Sequence, residues 1–163
     1  MYYMNLFFIY AILGYVFEEV TMSLLRKPYN SSVLYGPWTP VYGIAVLIMV
    51  FVYIFIRKFK LKKKKEIVCY FILITIILTV LEGISGYIIE LTQNKVYWNY
   101  YPLKLNMGHY MALEISLIWG IGATFITYFL IPRFKDKIKK IPKKVTWIVF
   151  SLFLLDICIS FFL

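Results

Sequence analysis

The chain alternates between long apolar stretches and short polar segments. Five stretches, at about 3–25, 39–56, 67–91, 110–131 and 145–163, are rich in Ile, Val, Leu and Phe and free of Lys and Arg. A bilayer core of roughly 30 Å is crossed by about 20 apolar residues in a helix, with about 17 as the lower limit, so each stretch predicts a membrane-spanning helix. The second and fifth lie near that limit. In lipid every backbone amide must find its partner within the chain, which favours helices throughout. The expected fold class is all-α, one transmembrane domain over residues 1–163 with about five transmembrane helices. The first stretch is not expected to be a cleaved leader. Met1 to Asn5 carry no positive charge, and Glu18 and Glu19 stand where small residues would precede cleavage.

Composition narrows the class further. The 163 residues are 62% hydrophobic and 16% charged, with a mean hydropathy of +0.77, against about half apolar and a quarter charged in a soluble domain. This excludes a water-soluble globule. Eighteen Lys and Arg against eight Asp and Glu give a net charge of +10, which alone fits nucleic acid or an anionic membrane surface. Position decides: the basic residues sit in short runs beside apolar stretches, and there is no zinc-finger, helix-turn-helix or RNP signature, so the partner is the lipid bilayer and not nucleic acid.

Seven basic residues fall in 57–66 and seven in 132–144, with Arg26, Lys27, Lys95 and Lys104 elsewhere and none inside a span. Positively charged short loops stay in the cytoplasm. Both runs are therefore expected inside, with the N-terminus inside and the C-terminus outside. The run Lys62 to Lys65 reads as a topology anchor, the other reading being a docking site for an acidic partner or anionic headgroups. Cys69 and Cys158 lie far apart, form no CxxC, and are expected as small core residues; no cofactor and no metal site is implied.

Acidic residues stand where they are costly. Glu18, Glu19, Glu82, Glu90, Glu114 and Asp156 all fall within expected spans, in the outer half on the topology above. A carboxylate near the bilayer centre costs a few kcal/mol and turns toward protein or a watery cavity. Glu82, Gly86 and Glu90 share one helix face at i, i+4, i+8, and Gly14 and Glu18 repeat the first step. With no Lys or Arg in the spans, each acid must be protonated, hydrated, hydrogen-bonded to Tyr, Ser, Thr or Trp, or paired with a cation from outside. Glu18, Glu82, Glu90, Glu114 and Asp156 are therefore the candidate proton- or substrate-binding set. The other reading is protonated carboxyls joining helices by hydrogen bonds.

Three further patterns stand out. Gly14-Tyr15-Val16-Phe17-Glu18 reappears as Gly86-Tyr87-Ile88-Ile89-Glu90, which is either chance or a parallel repeat of spans one and two in three and four. In Gly36-Pro37-Trp38-Thr39-Pro40-Val41-Tyr42-Gly43 the prolines keep a helix from starting before about Pro40. That block is either a segment dipping into the membrane toward a ligand or an ordinary loop with Pro in the first turn of span two. Tyr97 to Tyr101, including Trp98, suits an aromatic belt or, beside acids, a cage for an organic cation. His109, the single histidine, borders this loop near Glu114 and reads as a polar interfacial residue rather than a metal ligand.

Taken together, Gly14 to Glu18, the Gly36-Pro37…Pro40…Tyr42-Gly43 block, Glu82…Gly86-Tyr87…Glu90, Trp98-Asn99-Tyr100, Asn106 and Trp119-Gly120 resemble a known family. It is the putative type IV ABC-transporter permease family of small bacterial polytopic membrane proteins. The resemblance covers about residues 5–131, leaving span five outside, and GPxxPxYG is its most specific part. Tyr15 stands where Trp is usual, Asn99 where an acid is usual, and His109 roughly where Gly is. The resemblance implies a membrane transport subunit, and the intramembrane acids point to a proton or a cationic small molecule as its ligand. There is no GxxxxGK[ST] loop, so ATP hydrolysis would come from a separate ATPase subunit meeting the basic loops.

Five spans are few for a complete pathway, which suggests a homo-oligomer or partnered complex. The alternatives are a non-transporting scaffold or sensor, and an intramembrane hydrolase using paired carboxylates. For the latter, Glu18, Glu19 and Arg26 miss the EExxxR spacing of CAAX-type glutamate proteases, and no HExxH or Ser/His set is present, so an enzyme is not expected. The Lys-, Tyr- and Ile-rich composition suits the plasma membrane of a low-GC Gram-positive bacterium.

Overall fold

The computed structural model describes residues 1–24 and 34–162, with side chains through 160. Arg26 and Lys27 lie outside the described residues. Helix α1 (Tyr2–Leu24) is followed by α2 (Pro40–Arg57), α3 (Lys63–Gln93), α4 (Leu113–Phe125), a π-helical turn (Ile126–Leu130), α5 (Ile131–Lys139) and α6 (Lys143–Phe162). Four helices among the described residues are long and apolar enough to cross a bilayer: Tyr2–Leu24, Pro40–Arg57, Lys63–Gln93 and the continuous Leu113–Lys139. The all-helical membrane class expected from the apolar stretches is thus present. The stretch expected as a fifth span is helix α6, which carries Lys143, Lys144 and Asp156 and is not among those four.

Local chemistry explains the boundaries. Pro40 occupies the first turn of α2, where its missing N–H is no loss. Asn94 ends α3 in the left-handed region at φ 54°, its N–H returning to Glu90 O at 2.8 Å. The basic segment expected as a loop at 132–144 is mostly helical, because Lys and Arg are good helix formers and water solvates their ends. The π-turn ends at Leu130, two residues before Pro132, and Ile131 N–H bonds Ile126 O across five residues. A proline within a helix lacks a donor and crowds the carbonyl four residues back, and a widened turn relieves that crowding.

The described chain forms two compact units, Met1–Leu47 with Phe134–Leu163, and Ile48–Arg133. In the first, Ala11, Leu34 and Trp38 form a buried cluster with Phe153 and Ile157 of α6 against it. Phe7, Phe8 and Trp38 each meet the Phe153 ring edge-on at 5.6–5.7 Å. Asn5, buried in the first turn of α1, donates to Ile138 O at 3.2 Å and accepts from Thr146 Oγ1 at 2.5 Å. One amide thus ties α1 to the end of α5 and the start of α6.

In the second unit Tyr70 is fully buried. Its hydroxyl shares a 2.7 Å hydrogen bond with Thr127 Oγ1 and donates to Met49 O at 3.3 Å. Gly120 lets α4 approach α3 closely, its Cα facing Thr75 and Phe71. Cys69 and Cys158, expected in the core, are both free and exposed. On a helix that faces lipid, a small thiol on the outer surface leaves no polar group uncompensated.

Candidate functional site

In the second unit three of the expected acids lie around one capping segment, residues 94–112. This segment folds back on itself: Met107 N–H donates to Met111 O at 2.8 Å and Leu113 N–H to Leu105 O at 3.0 Å, turning at Gly108 with φ 96°. Asn106 pins the turn by donating to Leu103 O at 2.8 Å and Tyr101 O at 3.2 Å. The turn brings tyrosines onto α3. Tyr100 hydroxyl and Trp119 Nε1 of α4 both donate to Glu82 Oε1, at 2.8 and 3.1 Å. Glu82 Oε2 is buried without a hydrogen-bond partner among the described residues.

One turn further on, Tyr110 lies over Gly86 and its hydroxyl donates to Glu90 Oε2 at 2.9 Å. Burial, and then the Glu90 carboxylate, push the Tyr110 phenol above its ordinary value, so it remains a donor. Glu114, in the first turn of α4, accepts Leu105 N–H at 3.1 Å through Oε1, while its Oε2 is buried and unpartnered. Trp98 Nε1 is likewise buried and unpartnered, its ring edge-on to Tyr110 at 5.7 Å. His109 is exposed and packs against Tyr101 at a ring separation of 4.2 Å. Each carboxylate therefore has its own donors.

In the first unit Asp156 of α6 holds the proline block. It is 8% exposed and accepts from Gly36 N–H at 2.9 Å, Trp38 Nε1 at 2.5 Å and Tyr35 N–H at 3.2 Å, with Ser160 hydroxyl at 3.4 Å. The Gly36–Pro37 bend is thereby fastened to α6, and Thr39 N–H donates to Ala11 O at 3.0 Å before Pro40 begins α2. Tyr42 lies over Gly14, and Gly43 accommodates the ring of Phe7. Glu18 is half-buried and Glu19 exposed. Arg26, weighed with them as a hydrolase motif, lies outside the described residues.

One further buried carboxylate lies in the basic run 57–66, which reads from sequence as a loop. Glu66 is buried in the first turn of α3, where Oε1 accepts from Lys63 Nζ at 3.1 Å and Tyr128 hydroxyl at 3.0 Å. Lys63 Nζ lies 4.2 Å from the centre of the Tyr128 ring, a cation–π contact. The rings of Tyr53, Tyr70 and Tyr128 meet edge-on at 5.3–6.5 Å. The signal was available in the i, i+4 spacing of Glu66 and Tyr70. The π-turn that brings Thr127 and Tyr128 to face α3 had only Pro132 to announce it. No group of three His, Cys, Asp or Glu side chains able to hold a metal ion occurs among the described residues.

No curated protein and no solved structure matches the chain. The family described as "Putative ABC-transporter type IV" matches residues 5–162. That match runs past residue 131, where the resemblance read from the motifs stopped, and takes in α6 with Asp156. This multi-pass, transporter-type membrane chain belongs to the Putative ABC-transporter type IV family.

Proposed function

We propose that this chain is the non-enzymatic membrane subunit of a transport system, and that it binds a proton or a small cation at buried carboxyls centred on Glu82. The reading carries the earlier topology with it: basic loops and N-terminus in the cytoplasm, acids toward the external face of the plasma membrane. A separate ATPase subunit meets the lysine-rich loops, with self-association completing the pathway. The observation behind the reading is the divided environment of Glu82. One oxygen accepts two donors from Tyr100 and Trp119, and the other is buried and unpartnered. A buried acceptor with no donor costs about 1–3 kcal/mol, which a bound proton or cation relieves. Glu114 Oε2 adds a second such acceptor in the same unit. Glu90 completes the set in this unit, while Glu18 and Asp156 are separate candidates within the first unit, where Asp156 has both oxygens engaged.

A second reading is favoured by the same bonds. Glu82 joins α3 to the capping segment and to α4, as a structural carboxyl would. The full-length protein in lipid nanodiscs separates the two. A hydrophobic carbodiimide, which attacks protonated carboxyls in low dielectric, is applied across about pH 5 to 9 and mapped by peptide mass spectrometry. The proposal expects labelling at Glu82 that monovalent cations suppress, and Glu82→Gln to fold normally but lose the adduct and the pH-jump proton uptake. Absence of labelling at Glu82, with identical proton uptake by wild type and Glu82→Gln, would leave only the structural role.

A further inference from the structure

The five-residue match between α1 and α3 has a three-dimensional counterpart. In the second unit, a methyl group added at Gly86 would strike Cβ, Cγ and Cδ1 of Tyr110. In the first, a methyl group added at Gly14 would strike Cβ, Cγ and Cδ2 of Tyr42. Both glycines are buried, Tyr42 stands in the first turn of the next helix and Tyr110 near the end of the segment leading to the next helix, and both rings rest on bare helix backbone. Four residues beyond each glycine stands a half-buried glutamate, Glu90 or Glu18. One helical turn rises roughly 5.4 Å, a span that a tyrosine ring and its hydroxyl cover. Tyr110 does so, its hydroxyl reaching Glu90 Oε2 at 2.9 Å. Chance explains a repeated pentapeptide in a Tyr- and Ile-rich chain; it does not explain the same distant partner seated on the same glycine.

We infer that the Tyr42 hydroxyl donates to the Glu18 carboxylate, so that the chain carries two copies of one carboxyl–phenol site, one in each unit. The phenol engages a carboxylate oxygen by a charge-assisted bond. The ligand class, a proton or monovalent cation, rests on the reading given for Glu82; the pairing itself does not. Gly14 and Gly86 are positioning residues: any side chain there lifts the ring and withdraws the hydroxyl. Tyr42, placed only in a loop motif by the sequence, becomes the counterpart of Tyr110.

The test is a pair of double-mutant cycles on the full-length protein in nanodiscs, using Tyr42→Phe with Glu18→Gln and Tyr110→Phe with Glu90→Gln, read as unfolding equilibrium constants. These exchanges preserve shape, and both cycles should show coupling of about fivefold to tenfold. Tyr42→Phe with Glu19→Gln, a neighbour on the exposed surface, should show none. Gly14→Ala should reproduce Tyr42→Phe and not add to it. Coupling in the Tyr110 cycle but not the Tyr42 cycle overturns the duplication, and coupling in neither overturns the module altogether.

Carbodiimide mapping in sodium or potassium chloride supplies the ligand arm: Glu18 and Glu90 should be protected in parallel. Protection of Glu90 alone would refute a duplicated binding site. Protection of Glu82 without either would refute it while leaving the Glu82 reading intact.

Discussion

Asp156→Ala removes the acceptor that fastens the proline block to α6, and its cost can be worked from the donors left behind. Trp38 Nε1 is buried and Gly36 N–H partly so, while Tyr35 is 82% exposed and can turn to water. Two stranded donors at about 1–3 kcal/mol each give about 2–6 kcal/mol. That is a large part of the roughly 5–15 kcal/mol that holds a domain folded. Asp156→Asn keeps one carbonyl oxygen, enough for Trp38 and Gly36, loses the contacts to Tyr35 and Ser160, and removes the charge that strengthens the bonds that remain, so it should cost about 1 kcal/mol. At roughly 2–4 °C per kcal/mol for a chain of this length, alanine should lower the midpoint by on the order of 10 °C and asparagine by a few degrees. The assay is thermal unfolding in nanodiscs, with tryptophan emission reporting Trp38 and amide exchange reporting Gly36. An alanine variant that melts with wild type and retains slow exchange at Gly36 would refute the latch.

Gly120→Ala places a methyl group against Thr75 and within 2.9 Å of the Phe71 ring, so it should destabilise the α3–α4 contact by about 1–3 kcal/mol. Gly122→Ala, with nothing within 4 Å of the added carbon, should be neutral or stabilising by up to about 1 kcal/mol in the same melts. Alkaline pH should also weaken the fold through Tyr110. Its phenol is held above the ordinary value near 10.0 by burial and Glu90, so its contribution is complete below that pH and falls as pH rises toward the folded value. Tyr110→Phe should flatten the decline in melting temperature above about pH 10, and an unchanged slope would contradict the Tyr110–Glu90 bond.

What the residues determined by themselves is the solvent and the secondary structure. Apolar stretches of about 20 residues specify helices in lipid because length against bilayer thickness and backbone satisfaction leave little choice. The proline block marked the start of α2 at Pro40, and the motifs from Gly14 to Gly120 carried the family. The carboxyls were legible too, since an acid among Ile and Leu needs a reason. Their partners were not. A helix apolar on every side gives no periodic sign of which face meets protein and which meets lipid.

Only the tertiary structure could therefore pair Glu82 with Tyr100 and Trp119, Asp156 with Trp38, and Glu66 with Tyr128. These pairs span 18 to 118 positions of chain. They form because a buried carboxylate accepts whichever N–H or O–H the packing of glycines and rings brings within reach, a matter of shape that no single segment encodes.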